Sequence, residues 1–311
     1  MEKVYCTKEK RTGDKYTMKE REYFLRHDYS MKNMNSMNIN FTAALVAFPY
    51  TEQGVAQVFR DFRDRRIIVV GAGSNSIFVK PYYDEDSVFL VTSWLNEIDF
   101  DGEYITAGCG VSLSRLSWYA CEKHLTGFEF MEDIPGSIGG GIVMNAGTYS
   151  ESMKDITYRV RFYNDETKDF EVYIGEHIFR VRDSVFSQKK GMIVSAQFTG
   201  KAGVYNDIVR KMCETKKERY FKQPRDYPSA GSVFKKPMVN GVPTNVWKLI
   251  REVGLEGRQV GGARVSEKHS GFIINVGGAT GEDLQTLCKL CADEVEKKLG
   301  VCLTPEWKFI D

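Results

Sequence analysis

A chain of 311 residues, 42% apolar and 27% charged, has the composition of an ordinary globular protein and the length for two or three domains with a real core. Its 43 Lys and Arg against 42 Asp and Glu leave a net charge of +1, which argues against nucleic acid as the main partner. No apolar run is long enough to span a bilayer, and seven scattered cysteines, an odd number, do not make a disulfide framework.

Residues 1–38 mix both charge signs and lack an apolar signal-peptide core, so they read as an exposed or loosely docked arm of a cytoplasmic protein. TEQGVAQVFRDFRDRR (51–66) predicts an amphipathic helix begun by Thr51 as N-cap, with Val55, Val58, Phe59 and Phe62 on one face. RIIVV (66–70) predicts a buried strand that runs into GAGSNS and out through the β-like IFVKPYYD. SVFLVTS, EYITAG, YRVRFYN, DFEVYI and GMIVSAQFTG add strands, with a helix over LSRLSWYACEKH (113–124) among them. Beyond residue 200 the texture changes: a charged amphipathic helix at NDIVRKMCETKKERYF, the polar QPRDYPSAGSVFKKP, a helix at NVWKLIREVG, a strand at HSGFIINV and a helix over 281–299. The fold class is therefore α+β, divided into an arm (1–38), a strand-rich body (39–202) and a smaller α+β domain (203–311).

Cys288 and Cys291 form a CxxC inside the last helix, where Leu284, Leu287, Cys291, Val295 and Leu299 recur at helical spacing. Without a second cysteine pair or a His cluster, core packing is the preferred reading, and no metal site is expected.

Two glycine-rich segments carry most of the functional signal. GAGSNS (Gly71, Ala72, Gly73, Ser74, Asn75, Ser76) follows a strand but lacks the third glycine of a dinucleotide fingerprint, and IFVKP after it cannot open a good helix. What remains is a strand–turn–strand whose N–H groups suit an anion, with Ser74 and Asn75 as added donors. DIPGSIGGGIVMNAGTYS (133–150) holds five glycines. Pro135 and Gly136 make a turn, Gly139, Gly140 and Gly141 leave N–H groups open, and Asn145, Ala146 and Gly147 make a second turn. Tight sheet packing is the alternative; the presence of two candidate nests favours a ligand with a diphosphate and a flat ring.

VVGAGSNSIFV, LTGFEFMEDIPGSIGGGIVMNAGTYS, RDSVF, QPRDYPSAGSVFKKP, LIREVGLEGRQVGGARVSEKHSGFIIN and LTPEWKFID, in that order, resemble the UDP-N-acetylenolpyruvoylglucosamine reductase (UDP-N-acetylmuramate dehydrogenase) family from about residue 40 to the C-terminus. The compact AGSVFKKP and VSEKHSGF segments look like the shorter subtype, which lacks an extra tyrosine loop. The resemblance implies a vanillyl-alcohol-oxidase (PCMH-type) FAD-binding domain and a C-terminal substrate domain. It also implies a reaction of peptidoglycan precursor synthesis in which NADPH reduces FAD, and the enolpyruvyl ether of UDP-N-acetylglucosamine then takes the hydride. The cofactors implied are FAD and NADPH, and the partners are small molecules; the oligomeric state is left open.

The same resemblance assigns catalytic roles to Ser232 (proton donor, in AGSxF), Arg182 (carboxylate binding) and Glu306 (polarising the enol ether). It places Gly71–Ser76, Pro135, Gly136, Ser137, Gly139, Gly140, Asn145, Ala146, Gly147 and Val194 at the cofactor, and Arg219, Gln223, Lys236 and His269 at substrate or NADPH. Taken singly, Ser232 also reads as a turn-capping serine, Arg182 as a surface ion-pair residue and His269 as a solvated loop residue. Two departures stand out. Val181 replaces the usual Tyr before the arginine, and Asn40-Phe41 replaces a Gly-Gly pair, where bulk could reshape the turn near adenine or pyrophosphate. The competing reading is a flavin-binding paralogue with lost or altered activity.

Overall fold

The computed structural model describes residues 21–148 and 150–311. A four-stranded sheet runs Tyr23–Ser30, Thr42–Pro49, Tyr82–Val91, Arg66–Val70 in spatial order, the outer pair antiparallel and the other two pairings parallel. Helix α1 (Glu52–Asp61) makes the crossover from Thr42–Pro49 to Arg66–Val70. Its first turn is closed by Thr51, whose hydroxyl accepts the Gly54 N–H at 2.9 Å.

TAALVAFP and SVFLV are near-continuous apolar runs because both faces of the two central strands are covered. Leu45, Ala47, Val88 and Leu90 face one core, while Ala43, Val46, Phe48, Phe89 and Val91 face another. The first core is closed by an antiparallel five-stranded sheet in the order Asp169–Ile174, Thr157–Asn164, Gly191–Phe198, Ile105–Gly108, Ile98–Phe100, together with α2 (Leu113–Glu122), α3 (Ile138–Val143) and α4 (Met153–Ile156). The second core unites the far face of the first sheet with α6 (Val246–Glu252), α7 (Gly281–Leu299) and the short sheet Gln259–Val260, Ala263–Val265, Ile273–Asn275.

Cys288 and Cys291 lie in that second core, and burial pushes both thiols up to about 12. The C-terminal strand Lys308–Ile310 returns to pair in parallel with Ser76–Phe78. The end of the chain is thereby stitched to the first glycine turn. No described helix is long and apolar enough to cross a membrane, and among the described residues no three His, Cys, Asp or Glu side chains group as metal ligands.

Several expectations change. The arm expected over 1–38 falls partly outside the described residues, but Tyr23–Ser30 is a full edge strand, and Met31 and Met37 are wholly buried. Its charged residues hid the alternation: every outward position of an edge strand is free to be polar. The helix expected to run to residue 66 stops at Asp61. The strand at 66–70 is buried on one face only, with Val69 39% exposed. Helix α5 (Tyr205–Lys222), expected to open the C-terminal domain, packs instead on α2 through Ile208, Met212 and Cys121.

Candidate active site

The two glycine segments, some sixty residues apart in sequence, face each other. A Cβ on Gly71 would sit 2.3 Å from Ser137 Oγ, and one on Gly136 would sit 3.7 Å from Ser74 Oγ. Gly71 is therefore bare because the second segment occupies the volume of its side chain. Gly73 adopts φ +59° and turns its carbonyl to the N–H of Ser36, in the loop before the strand Thr42–Pro49. Among the described residues, the N–H groups of Gly71 through Asn75 donate to no main-chain carbonyl. The hydroxyl of Ser137 is buried without a partner, and that of Thr92 is buried with only the Cys109 thiol beside it. Desolvated donors of this kind cost of order 1–3 kcal/mol unless something satisfies them.

The second segment differs from the open loop expected. Residues 138–143 form helix α3, and its N–H groups are partly spent: Ile138 donates to Val111 O (2.8 Å), Gly139 to Cys109 O (2.9 Å) and Gly141 to Ser137 O (2.7 Å). Gly139 and Gly141 are packing glycines, since a Cβ there would meet Cys109 Cβ at 3.0 Å and a Leu113 methyl at 2.9 Å. Both readings of the stretch thus hold at different residues. Of its five glycines Gly140 alone is exposed, its nearest obstacle being Ser137 Oγ at 3.6 Å.

Asn145 (φ +42°) is a strut. Its Oδ1 accepts from Lys154 N–H at 3.0 Å, and its Nδ2 donates to Arg180 O at 3.0 Å. With the Ser184 hydroxyl donating to Val143 O, it clamps the two-residue hairpin Phe179–Arg180/Asp183–Ser184 onto the end of α3. At the hairpin tip Arg182 adopts φ +53°, a left-handed conformation that costs a non-glycine residue of order 1 kcal/mol, and its guanidinium lies 3.9 Å from the carboxylate of Glu306. Neighbouring Val181 is 90% exposed. Ala146 and Gly147 form a turn against Glu151 and Ser152, with Gly147 bridged to Ser152.

Glu306 is fixed from both sides. Its N–H donates to Val233 O (2.8 Å), and its carbonyl accepts Asn75 Nδ2 (3.1 Å) across 231 residues of sequence. Asn75 therefore spends an N–H on positioning Glu306, where the sequence predicted a ligand donor. The Val233 bond sets Ser232 beside Glu306 in the chain path, and Gly231 before it takes φ +73°. Burial pushes the Glu306 pKa above the ordinary carboxylate range, opposed by the fields of Arg182 and Lys235. Lys235, overlooked in the sequence beside Lys236, is the lysine whose charge Glu306 feels; Lys236 is exposed. Nothing in a KKP run distinguishes the two.

Arg219, near the end of α5, is held with its Nε buried and without a hydrogen bond, 4.0 Å from Asp133 Oδ2. Burial and the charge of Arg182 push its pKa down. Gln223 caps the same helix, its N–H donating to Arg219 O. His269 is not a solvated loop residue: it packs on Phe272 at 4.9 Å, its Nδ1 accepts the Gly271 N–H, and burial lowers its pKa. Val194 sits at a bulge with its side chain buried and its carbonyl accepting the Cys109 N–H, so it braces the loop beneath Gly139. Phe41 does not crowd the glycine turn; it stacks on Phe78 at 4.5 Å in the second core.

A glycine turn facing the head of α3, with the Ser137 hydroxyl buried unpartnered between them and Asn75 tying the turn to Glu306, belongs to a flavoprotein oxidoreductase with a PCMH-type FAD-binding domain. The profile described as "FAD binding domain" matches residues 43–167, and the one described as "UDP-N-acetylenolpyruvoylglucosamine reductase, C-terminal domain" matches residues 223–310. The chain is 36% identical to the UDP-N-acetylenolpyruvoylglucosamine reductase of Caldicellulosiruptor bescii over 288 residues (91% of this chain, 90% of that one). It is also 36% identical to that of Caldanaerobacter subterraneus over 298 residues (95% and 96%). The crystal structure of the Thermus caldophilus enzyme superposes with a TM-score of 0.78 at 27% identity, covering 93% of this chain and all of that one. The chain belongs to the UDP-N-acetylenolpyruvoylglucosamine reductase family.

Proposed function

We infer that the protein reduces UDP-N-acetylenolpyruvoylglucosamine to UDP-N-acetylmuramate, a step of peptidoglycan synthesis, with FAD as its cofactor and NADPH as its reductant. The observation that carries this reading is the convergence of Arg182, Glu306 and the Ser232 segment at the edge of the glycine cradle, in a chain of this family. The residues present fit FAD: the unpartnered Ser137 hydroxyl, the N–H groups of Gly71 to Asn75 and the open face at Gly140 supply donors and room for a diphosphate and a ring edge. Bound FAD supplies the hydride that adds to the terminal carbon of the enolpyruvyl group.

The chain's own residues handle the charge that this addition leaves on the substrate. The Arg182 guanidinium, fixed by its hairpin, binds the substrate carboxylate on which negative charge develops. The Ser232 hydroxyl, a weak acid suited to a strongly basic carbon, delivers the proton. Glu306, desolvated and so able to hold its proton at higher pH than an exposed carboxyl, hydrogen-bonds the enol ether directly or through water. Arg219, buried and under-paired, faces an anionic part of the substrate, with Gln223, Lys236 and His269 in the surrounding segments. A cytoplasmic location and a contribution to cell shape, cell cycle and division follow from the same role.

The test is to record the visible spectrum of the purified protein and to follow NADPH oxidation with and without the enolpyruvyl substrate. Substrate-dependent turnover of a yellow protein is the expected result. A yellow protein without it leaves only flavin binding, and a protein that cannot be reconstituted with FAD refutes both.

A further inference from the structure

Asp133 adopts φ +65° immediately before Ile134-Pro135-Gly136, a left-handed conformation that a side chain other than Gly or Asn occupies at a cost. Its contacts account for the position. The Asp133 N–H donates to Ser114 Oγ on α2 at 3.1 Å, anchoring the residue to the flavin-binding body. Its carbonyl accepts Arg225 Nη2 at 3.2 Å, and its carboxylate makes a close ion pair with the same guanidinium. The carboxylate also lies 4.0 Å from Arg219 Nε. All three side chains are less than a third exposed, so the charges are screened far less than at a surface.

Arg225 begins the segment that ends at Ser232. That segment is tied down further along, where Pro228 O accepts Asn275 N–H and Ser229 O accepts the Ser36 hydroxyl. Removing Asp133's charge would leave Arg225 without its ion-pair partner, and Arg219 with the field of Glu218 to set against that of Arg182.

We propose that Asp133 is a positioning residue of the reductase: it latches the second glycine segment to Arg225 and Arg219, and so sets the Ser232 segment and the substrate-facing guanidinium relative to the cradle. The inference rests on the reductase reading above. Without the latch, two consequences oppose each other. The extra uncompensated positive charge strengthens attraction of the anionic substrate, while looser placement of Ser232 slows protonation.

The test uses Asp133→Asn, which keeps the left-handed backbone accessible and removes only the charge, with Arg225→Gln and the double variant. In the holoprotein, the expected result is unchanged flavin content and unchanged reduction by NADPH. Oxidation by the enolpyruvyl substrate slows about tenfold, by the order of effect a small misplacement has on proton transfer. KM falls or holds, and the double variant is no worse than the slower single one, since both remove one latch. In the protein as purified, amide hydrogen exchange across residues 227–234 is faster in Asp133→Asn than in wild type. Unaltered exchange there, an unaltered second half-reaction, or parallel loss of flavin and of both half-reactions overturns the proposal. If wild-type protein run alongside does not turn over, the reductase reading fails instead, and the exchange measurement still decides whether the latch exists.

Discussion

Gly140→Ala separates the ligand-facing glycine of the second segment from its packing neighbours. A Cβ at Gly140 meets nothing nearer than Ser137 Oγ at 3.6 Å, which is ordinary van der Waals contact, and the residue lies within helix α3. Alanine in place of a helical glycine is worth about 0.5–1 kcal/mol. Spread over the unfolding entropy of a chain of this size, that raises the melting temperature of the apoprotein by about 1 °C. The new methyl group projects into the cradle, so FAD affinity falls by about tenfold, or about 1.4 kcal/mol. The control is Gly139→Ala, whose Cβ would sit 3.0 Å from that of buried Cys109; overpacking of this kind costs about 1–3 kcal/mol and lowers the melting temperature of the apoprotein. Melting of the apoproteins and FAD titration by fluorescence quenching read both quantities. Unchanged FAD affinity in Gly140→Ala would refute the assignment of this open face to the flavin.

Ser232→Ala should leave reduction by NADPH intact while slowing oxidation by the enolpyruvyl substrate at least about a hundredfold, the usual loss for a positioned acid; stopped-flow of the two halves that showed equal losses would contradict a proton-donor role. Glu306→Gln should abolish turnover yet stabilise the fold near neutral pH. A carboxyl whose folded pKa is raised binds more protons folded than unfolded, so its contribution declines as pH rises through the carboxylate range. Melting curves should therefore place Glu306→Gln above wild type at about pH 8 and converge with it below about pH 4, where the carboxyl is neutral in both states; a variant less stable at the higher pH and equal at the lower sinks this account. Asn75→Ala removes the side-chain bond to Glu306 O, so kcat should fall more than FAD affinity; the reverse order would restore Asn75 as a flavin donor.

Much of the fold was legible locally. Thr51 as a cap, the bounds of α7 and the alternating strands follow from rules that reach only a few residues along the chain. The edge strand Tyr23–Ser30 was not legible, because exposed Arg26 and Asp28 interrupt its apolar residues and its partner, Thr42–Pro49, carries the stronger apolar signal. Glycine content marked the cradle but could not divide the labour within it. Whether a missing side chain admits a ligand or a neighbour depends on Cys109, Leu113 and Ser137 arriving from elsewhere.

By itself, then, the sequence determined the family and the α+β class and marked out the candidate site, because these are carried by ordered motifs and short-range periodicity. Only the tertiary structure decided that Arg182 stands 3.9 Å from Glu306, that the Asn75 side chain braces Glu306, and that Asp133 joins the second glycine segment to Arg225. Each of these is a contact between residues scores to hundreds of positions apart. Its geometry is set by the packing of two cores on one sheet, and no local rule contains that information.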